Sequence, residues 1–95
     1  MTLKIEVTRF IQEKIDADKK VVSDGTLKQN VTLKFTDENY SSSYIETQWL
    51  DIDSSKSEDD YVKEAYELMK DNVTTWQNSE KLVGKTFNLK TGKIE

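Results

Sequence analysis

The side chains best suited to chemistry lie together in the middle of the chain. Residues 51–60, Asp-Ile-Asp-Ser-Ser-Lys-Ser-Glu-Asp-Asp, hold five carboxylates, and calcium prefers oxygen ligands of this kind. A calcium-binding EF-hand loop beginning at Asp51 needs a glycine at its sixth position and a glutamate at its twelfth. Lys56 and Val62 stand there instead, so the spacing does not support a metal site. We expect either a solvated strand-to-helix connection or an acidic docking patch.

The same carboxylates do not form a convincing catalytic pair. In an extended strand Asp51 and Asp53 would point the same way, roughly 7 Å apart. A glycosidase-like pair also needs an apolar pocket that raises one pKa, and the neighbouring residues supply none. The chain has no histidine and no cysteine, so the commonest general base and the thiol nucleophile are both missing. We therefore predict no catalytic residue, no metal ligand and no cofactor.

Charge is distributed unevenly along the chain. Residues 37–80 carry three lysines against twelve acids, a net charge of −9, whereas residues 1–36 carry +2 and residues 81–95 carry +3. An acidic surface of this kind attracts a cationic partner. Direct nucleic-acid binding is disfavoured, because Arg9 is the only arginine and the sequence pI is about 4.9.

The leading functional hypothesis is a small acidic, non-enzymatic binding protein, an inhibitor or adaptor that docks to a basic surface of a protein partner. That partner could itself be a nucleic-acid-binding protein. The docking surface is predicted to contain the acids of the central segment together with one aromatic residue, since tryptophan is enriched at binding hot spots. Its members are Asp51, Asp53, Glu58, Asp59, Asp60, Glu64, Glu67 and Trp49. Trp49 itself has two alternatives, a position in the core, which is favoured, and a position on this surface.

An alternative function is a structural protein that oligomerises through unpaired sheet edges. The lysine-rich, proline-free composition is compatible with a bacterial or phage accessory protein. No apolar run is long enough for a membrane span, and the N-terminus alternates polar and apolar residues unlike a signal peptide. We therefore expect a cytoplasmic protein that does not associate with membranes.

The elements that must position these residues are mostly strands. Alternation predicts a strand over residues 2–10, although Phe10 breaks the pattern, and it leaves residues 11–20 undecided. The clearest strand is 30–36, with Val31, Leu33 and Phe35 facing inward. Another follows over about 44–52, apolar on both faces.

One long helix is predicted from Ser57 to about Gln77. Ser57 and Asp60 form a capping box, and three acids in the first turn suit the helix dipole. An apolar stripe follows the helical period. Its members are Val62, Ala65, Tyr66, Met69, Val73 and Trp76. After the helix, Thr91-Gly92 predicts a tight turn that pairs residues 86–90 with residues 93–95.

Together these elements predict one α+β domain over residues 1–95. Its antiparallel sheet has four to five strands, and one long amphipathic helix packs on one face. If residues 8–21 were helical instead, the order would become β-α-β-β-α-β, which resembles a ferredoxin-like fold.

Overall fold

The structure, a computed structural model, describes residues 2–95. Three long strands come first, then one helix, then two very short strands. In chain order they are β1 (Lys4–Ile15), β2 (Thr26–Thr36), β3 (Tyr44–Asp51), α1 (Glu58–Glu80), β4 (Phe87–Asn88) and β5 (Lys93–Ile94).

The strands form two separate antiparallel sheets. The first has the order β1-β2-β3, and the second is the β4–β5 hairpin. The α+β class and the single long helix are confirmed. The expected single sheet of four to five strands is wrong, because β4 and β5 have two residues each and pair only with each other. The ferredoxin-like alternative is also wrong, since β1 continues as a strand to Ile15 where that order needs a helix.

A β-bulge at Thr8 explains the irregular pattern of β1. The pairing with β2 shifts between Val7 and Arg9. Residues paired across an antiparallel sheet share a face, so Val7 lies on the face of Leu33. Beyond the bulge the parity changes, and Phe10, paired with Val31, lies on that same face. The bulge therefore returns Phe10 to the core side and turns Ile11 to the opposite side.

The core lies between α1 and the first sheet. Its centre is the inward face of β2, where Val31, Leu33 and Phe35 are fully buried. Every fourth residue along the first half of α1 packs against this face. The core cluster is Val31, Leu33, Phe35, Leu50, Tyr61, Ala65, Met69, Val73 and Trp76. Val62 and Tyr66, expected in the apolar stripe, are half-buried at its edge.

Local hydrogen bonds fix the start of α1. The Ser57 hydroxyl accepts from the Asp60 N–H at 3.2 Å, and the Asp60 carboxylate accepts from the Ser57 N–H at 3.0 Å. This confirms the predicted capping box. The helix ends at Glu80, three residues beyond the predicted end at Gln77.

Glu80 fastens the β2–β3 loop to the C-terminal end of α1, although the helix dipole disfavours an anion there. Its carboxylate accepts hydrogen bonds from the N–H groups of Ser41 and Ser42, at 3.2 and 3.0 Å, and from both hydroxyls. The Ser42 hydroxyl in turn accepts from the Trp76 indole at 3.0 Å. These hydrogen bonds lower the pKa of Glu80 below its ordinary value, and the bond from the Ser42 hydroxyl has the largest effect.

The C-terminal segment, residues 81–95, extends from the end of α1. Gly92 has φ +69 at the hairpin turn, a conformation that suits glycine. The expected hairpin is thus present. Its apolar side chains are exposed, Leu89 at 88%. The molecule is 57 Å long, compared with about 35 Å for a 23-residue helix.

Replacing Leu33 by alanine tests the position of the core. We expect Leu33→Ala to lower the free energy of unfolding by about 2–5 kcal/mol, because it leaves a cavity in a fully buried site. The matched control is Leu89→Ala, the same change at an exposed site, which should alter stability by less than about 0.5 kcal/mol. Urea denaturation measures both. Equal losses would contradict this core.

Glu80→Gln should lower the thermal midpoint by several degrees at neutral pH, because an amide cannot replace a carboxylate that accepts from four donors. Since folding lowers the Glu80 pKa, its stabilisation is present above the unfolded value, near 4.5. It is lost as pH falls through the folded value. The difference from wild type should therefore shrink between about pH 7 and about pH 3. The control Glu38→Gln, exposed in the same loop, should change the midpoint little at either pH.

Candidate functional site

Five predicted docking residues lie at one end of the molecule, where β3 ends and α1 begins. They are Asp51, Asp53, Glu58, Asp59 and Asp60, and all five side chains are exposed. The antiparallel order of the strands brings the β1–β2 loop to the same end. These five residues form the acidic end of the molecule.

Three of the five carboxylates at the acidic end already have partners. Asp51 forms an ion pair with Lys28 across the β2–β3 pair, and the hydrogen bond from this lysine lowers the pKa of Asp51. Asp53 accepts from the Ser55 hydroxyl at 2.6 Å, which lowers the Asp53 pKa. Asp60 caps the helix. Within residues 2–95, Glu58 and Asp59 have no hydrogen-bonding side-chain partner, so they are the carboxylates that are available to a partner protein.

Glu64 and Glu67, also predicted to bind the partner, lie further along α1. Glu64 forms an ion pair with Lys56 at 2.6 Å, and this contact raises the pKa of Lys56. Glu67 pairs with Lys70 at 3.1 Å. Each pair cancels one negative charge, and half-exposed pairs of this kind contribute little to stability. The helix is therefore less acidic in its middle than at its first turn.

The structure does not bring Trp49 together with the acidic residues of the helix. Leu50 faces the core, so Trp49, its neighbour along β3, lies on the sheet face opposite α1. The indole is half-buried there and donates to Glu13 at 2.7 Å. The alternative of Trp49 in the core is wrong, because only the opposite face of β3 packs on α1.

Trp49 belongs to a polar network that sequence reasoning did not find. Glu13 also accepts from the Asn30 amide at 2.6 Å, and Thr32 donates to Asn30 at 2.9 Å. The Thr32 and Thr47 hydroxyls are 2.7 Å apart. The Glu13 side chain is 9% exposed, and the bonds from Trp49 and then Asn30 lower its pKa. The sequence does show three polar residues in succession, Lys28, Gln29 and Asn30. That Asn30 lies beside Glu13 and Trp49 follows only from the register of the strands.

The lysines of the C-terminal segment lie at the opposite end from the acidic carboxylates. Helix α1 starts at the acidic end, and Glu80 at its other terminus contacts the β2–β3 loop. Residues 81–95 continue from that terminus. None of Lys81, Lys85, Lys90 and Lys93 forms an ion pair within residues 2–95. The lysines of this segment therefore do not pair with the acids of the helix.

An open cavity of about 580 Å³ lies beside the β1–β2 loop. Ile15, Ala17 and Val22 supply apolar walls, and Asp16 and Asp24 supply carboxylates. Asp16 already accepts from two N–H groups of its own loop, at 2.9 and 3.0 Å. The cavity is thus the space between the β1–β2 loop and the end of the hairpin over which this loop folds. Its lining does not place a nucleophile beside a general base.

Neither a metal site nor a membrane-spanning helix is present among residues 2–95. Among residues 2–95, no three acidic side chains lie close enough together to hold a metal ion. The one helix of the described chain is too polar to cross a membrane.

Replacing Trp49 tests the network on the open face of the sheet. Trp49→Phe removes the indole N–H donor, so the pKa of Glu13 should rise toward its ordinary value of 4.5. A carboxyl-carbon NMR titration measures this pKa. The control Ile45→Val, on the same face, should leave it unchanged. An unaltered Glu13 pKa in Trp49→Phe would show that the indole does not bind this carboxylate.

Comparison with known proteins finds no relative. No protein-family model, no curated protein and no solved structure matches the chain. The function is therefore inferred from the geometry of this chain alone.

Proposed function

We propose that the chain is a non-enzymatic binding protein that docks through its acidic end to a basic surface of a protein partner. The observation that supports this proposal most is the separation of charge along the molecule. The acidic end and the lysines of residues 81–95 lie at opposite ends of α1, so the basic segment does not neutralise the acids.

The first turn of α1 is the centre of the proposed contact. Glu58 and Asp59 project from a helix start that the capping box holds in place, so the backbone loses little conformational freedom when a partner binds them. Asp51 and Asp53 flank them on the preceding strand end and loop. Complementary charges at such a surface raise the association rate and select the partner more than they add affinity.

Charge reversal tests the proposal. The full chain carrying Asp51, Asp53, Glu58 and Asp59 all changed to lysine should capture its partner at least about tenfold more weakly, because like charges then meet across the interface. Asp60 is kept because it caps the helix. Capture on immobilised protein, quantified by mass spectrometry, compares this variant with wild type. Wild-type capture should also fall as salt rises from about 0.05 to about 0.5 M, since salt screens exposed charges.

A variant with the same charge change serves as the control. Changing Asp37, Glu38, Asp71 and Glu95 to lysine alters four acids outside the acidic end and outside β1, and this variant should keep most of the specific capture. Circular dichroism shows whether both variants fold. Equal losses in the two variants would mean that only net charge matters, and undiminished capture by the first would locate binding on another surface.

A further inference from the structure

Strand β1 is a twelve-residue edge of the first sheet. It pairs with β2 on one side. On its outer side only the C-terminal end is bonded, where the Val22 N–H donates to the Lys14 carbonyl at 3.0 Å and Ile15 forms a single bridge with Val21. Residues 4–13 pair with no other strand of residues 2–95. An edge of this length presents a row of unpaired N–H and C=O groups to another chain.

The helix leaves part of the β1 face uncovered. Asn72, on one flank of α1, donates to Glu46 of β3 at 2.9 Å, so the helix lies toward the β3 side of the sheet. Ile5 and Val7 pair with the core residues Phe35 and Leu33 and face the same way, but they remain 43% and 46% exposed. They form an apolar strip directly beside the unpaired edge.

We propose that a second copy of this chain pairs with β1 through its own β1, antiparallel and about a two-fold axis. In the register inferred here, Ile5 faces Phe10 of the second copy and Glu6 faces its Arg9. The bulge at Thr8 makes this register possible. Ile5 before the bulge and Phe10 after it both lie on the helix side, so the apolar side chains of the two copies meet on one face.

The charges of β1 favour this partner and this register. Charged residues on an edge normally discourage pairing with other strands. Here the two-fold axis sets Glu6 against Arg9 twice, and both side chains lie on the face away from α1. If the two β1 strands were shifted so that Glu6 faced Glu13 of the second copy, two negative charges would lie opposite each other. If they were shifted the other way, so that Lys4 faced Arg9, two positive charges would do so. The same strand thus matches itself while it repels misaligned copies.

One neighbouring register also matches charges, since it sets Lys4 against Glu13. It is less favourable because the Glu13 carboxylate already accepts from Trp49 and Asn30 and its side chain is 9% exposed. Glu6 and Arg9 are more accessible: Glu6 is exposed, and the Arg9 side chain is 54% exposed, with one contact to Glu13 at 3.4 Å.

Compensating charge reversal tests both the dimer and its register. Light scattering during gel filtration of the full chain, over a range of concentrations, should show the 11.0 kDa chain converting to a dimer of twice that mass. Glu6→Arg and Arg9→Glu should each weaken the dimer roughly tenfold, because each sets like charges opposite one another twice. The double variant should restore it, since both pairs are again of opposite sign. The control Glu38→Arg, in the β2–β3 loop, should have no effect.

A monomer at every concentration would overturn the proposal, as would single variants that dimerise like wild type. A double variant that stays monomeric while folded, as judged by circular dichroism, would overturn the register. The dimer does not rest on the proposed function: Glu6 and Arg9 are not part of the acidic end, and reversal of Asp51, Asp53, Glu58 and Asp59 should leave the dimer intact.

Discussion

The packing of one helix on a three-stranded sheet is the constraint from which the rest of the molecule follows. A helix is about 10 Å across with its side chains, and adjacent strands are about 4.8 Å apart, so one helix covers roughly two strands. Helix α1 covers β2 and β3. As a result Val31, Leu33 and Phe35 on the inner face of β2 are fully buried, whereas Ile5 and Val7 of β1 remain nearly half exposed. The same constraint leaves the other face of the sheet without any covering element in the described chain.

Two carboxylates show how this acidic chain uses charge inside its own structure. Glu80 binds the β2–β3 loop to the end of α1, and Glu13 joins β1 to Trp49 and Asn30 across the sheet. Hydrogen bonds hold both pKa values low, so each group stays ionised although little of it is exposed. These two negative charges therefore stabilise the fold. At the acidic end, the carboxylates left for a partner are those of Glu58 and Asp59 in the first turn of α1.

The two ends of the molecule differ in charge and in packing. The acidic end is built on a capped helix and a paired strand end, and its side chains project from rigid backbone. The opposite end is a short hairpin whose apolar residues contribute nothing to the main core. A two-stranded hairpin of this size is only marginally stable alone. Its position at the end of α1 keeps its lysines away from the acids, and an external basic surface can therefore reach the acidic end.

Local patterns in the sequence determined the elements whose signals are short-range. The capping box at Ser57 and Asp60, the alternation of Val31, Leu33 and Phe35, and the Thr91-Gly92 turn each depend on residues within a few positions, so they were predicted correctly. The number of strands in the main sheet was predicted wrongly, because strand pairing depends on which edges meet in space. The acids at the start of α1 were likewise recognisable, while their separation from Trp49 was not.

Tertiary structure alone decided which residues share a face and which charges remain available. The bulge at Thr8 inverts the parity of β1. The sequence shows that Phe10 breaks the alternation, but it does not show that an extra residue relative to a distant partner strand is the cause. The roles of Glu13 and Glu80 depend on contacts with residues 17 to 39 positions away. A sequence lists such charges without their partners. Only the fold determines whether a carboxylate is already hydrogen-bonded or faces solvent, because that outcome depends on long-range register and packing.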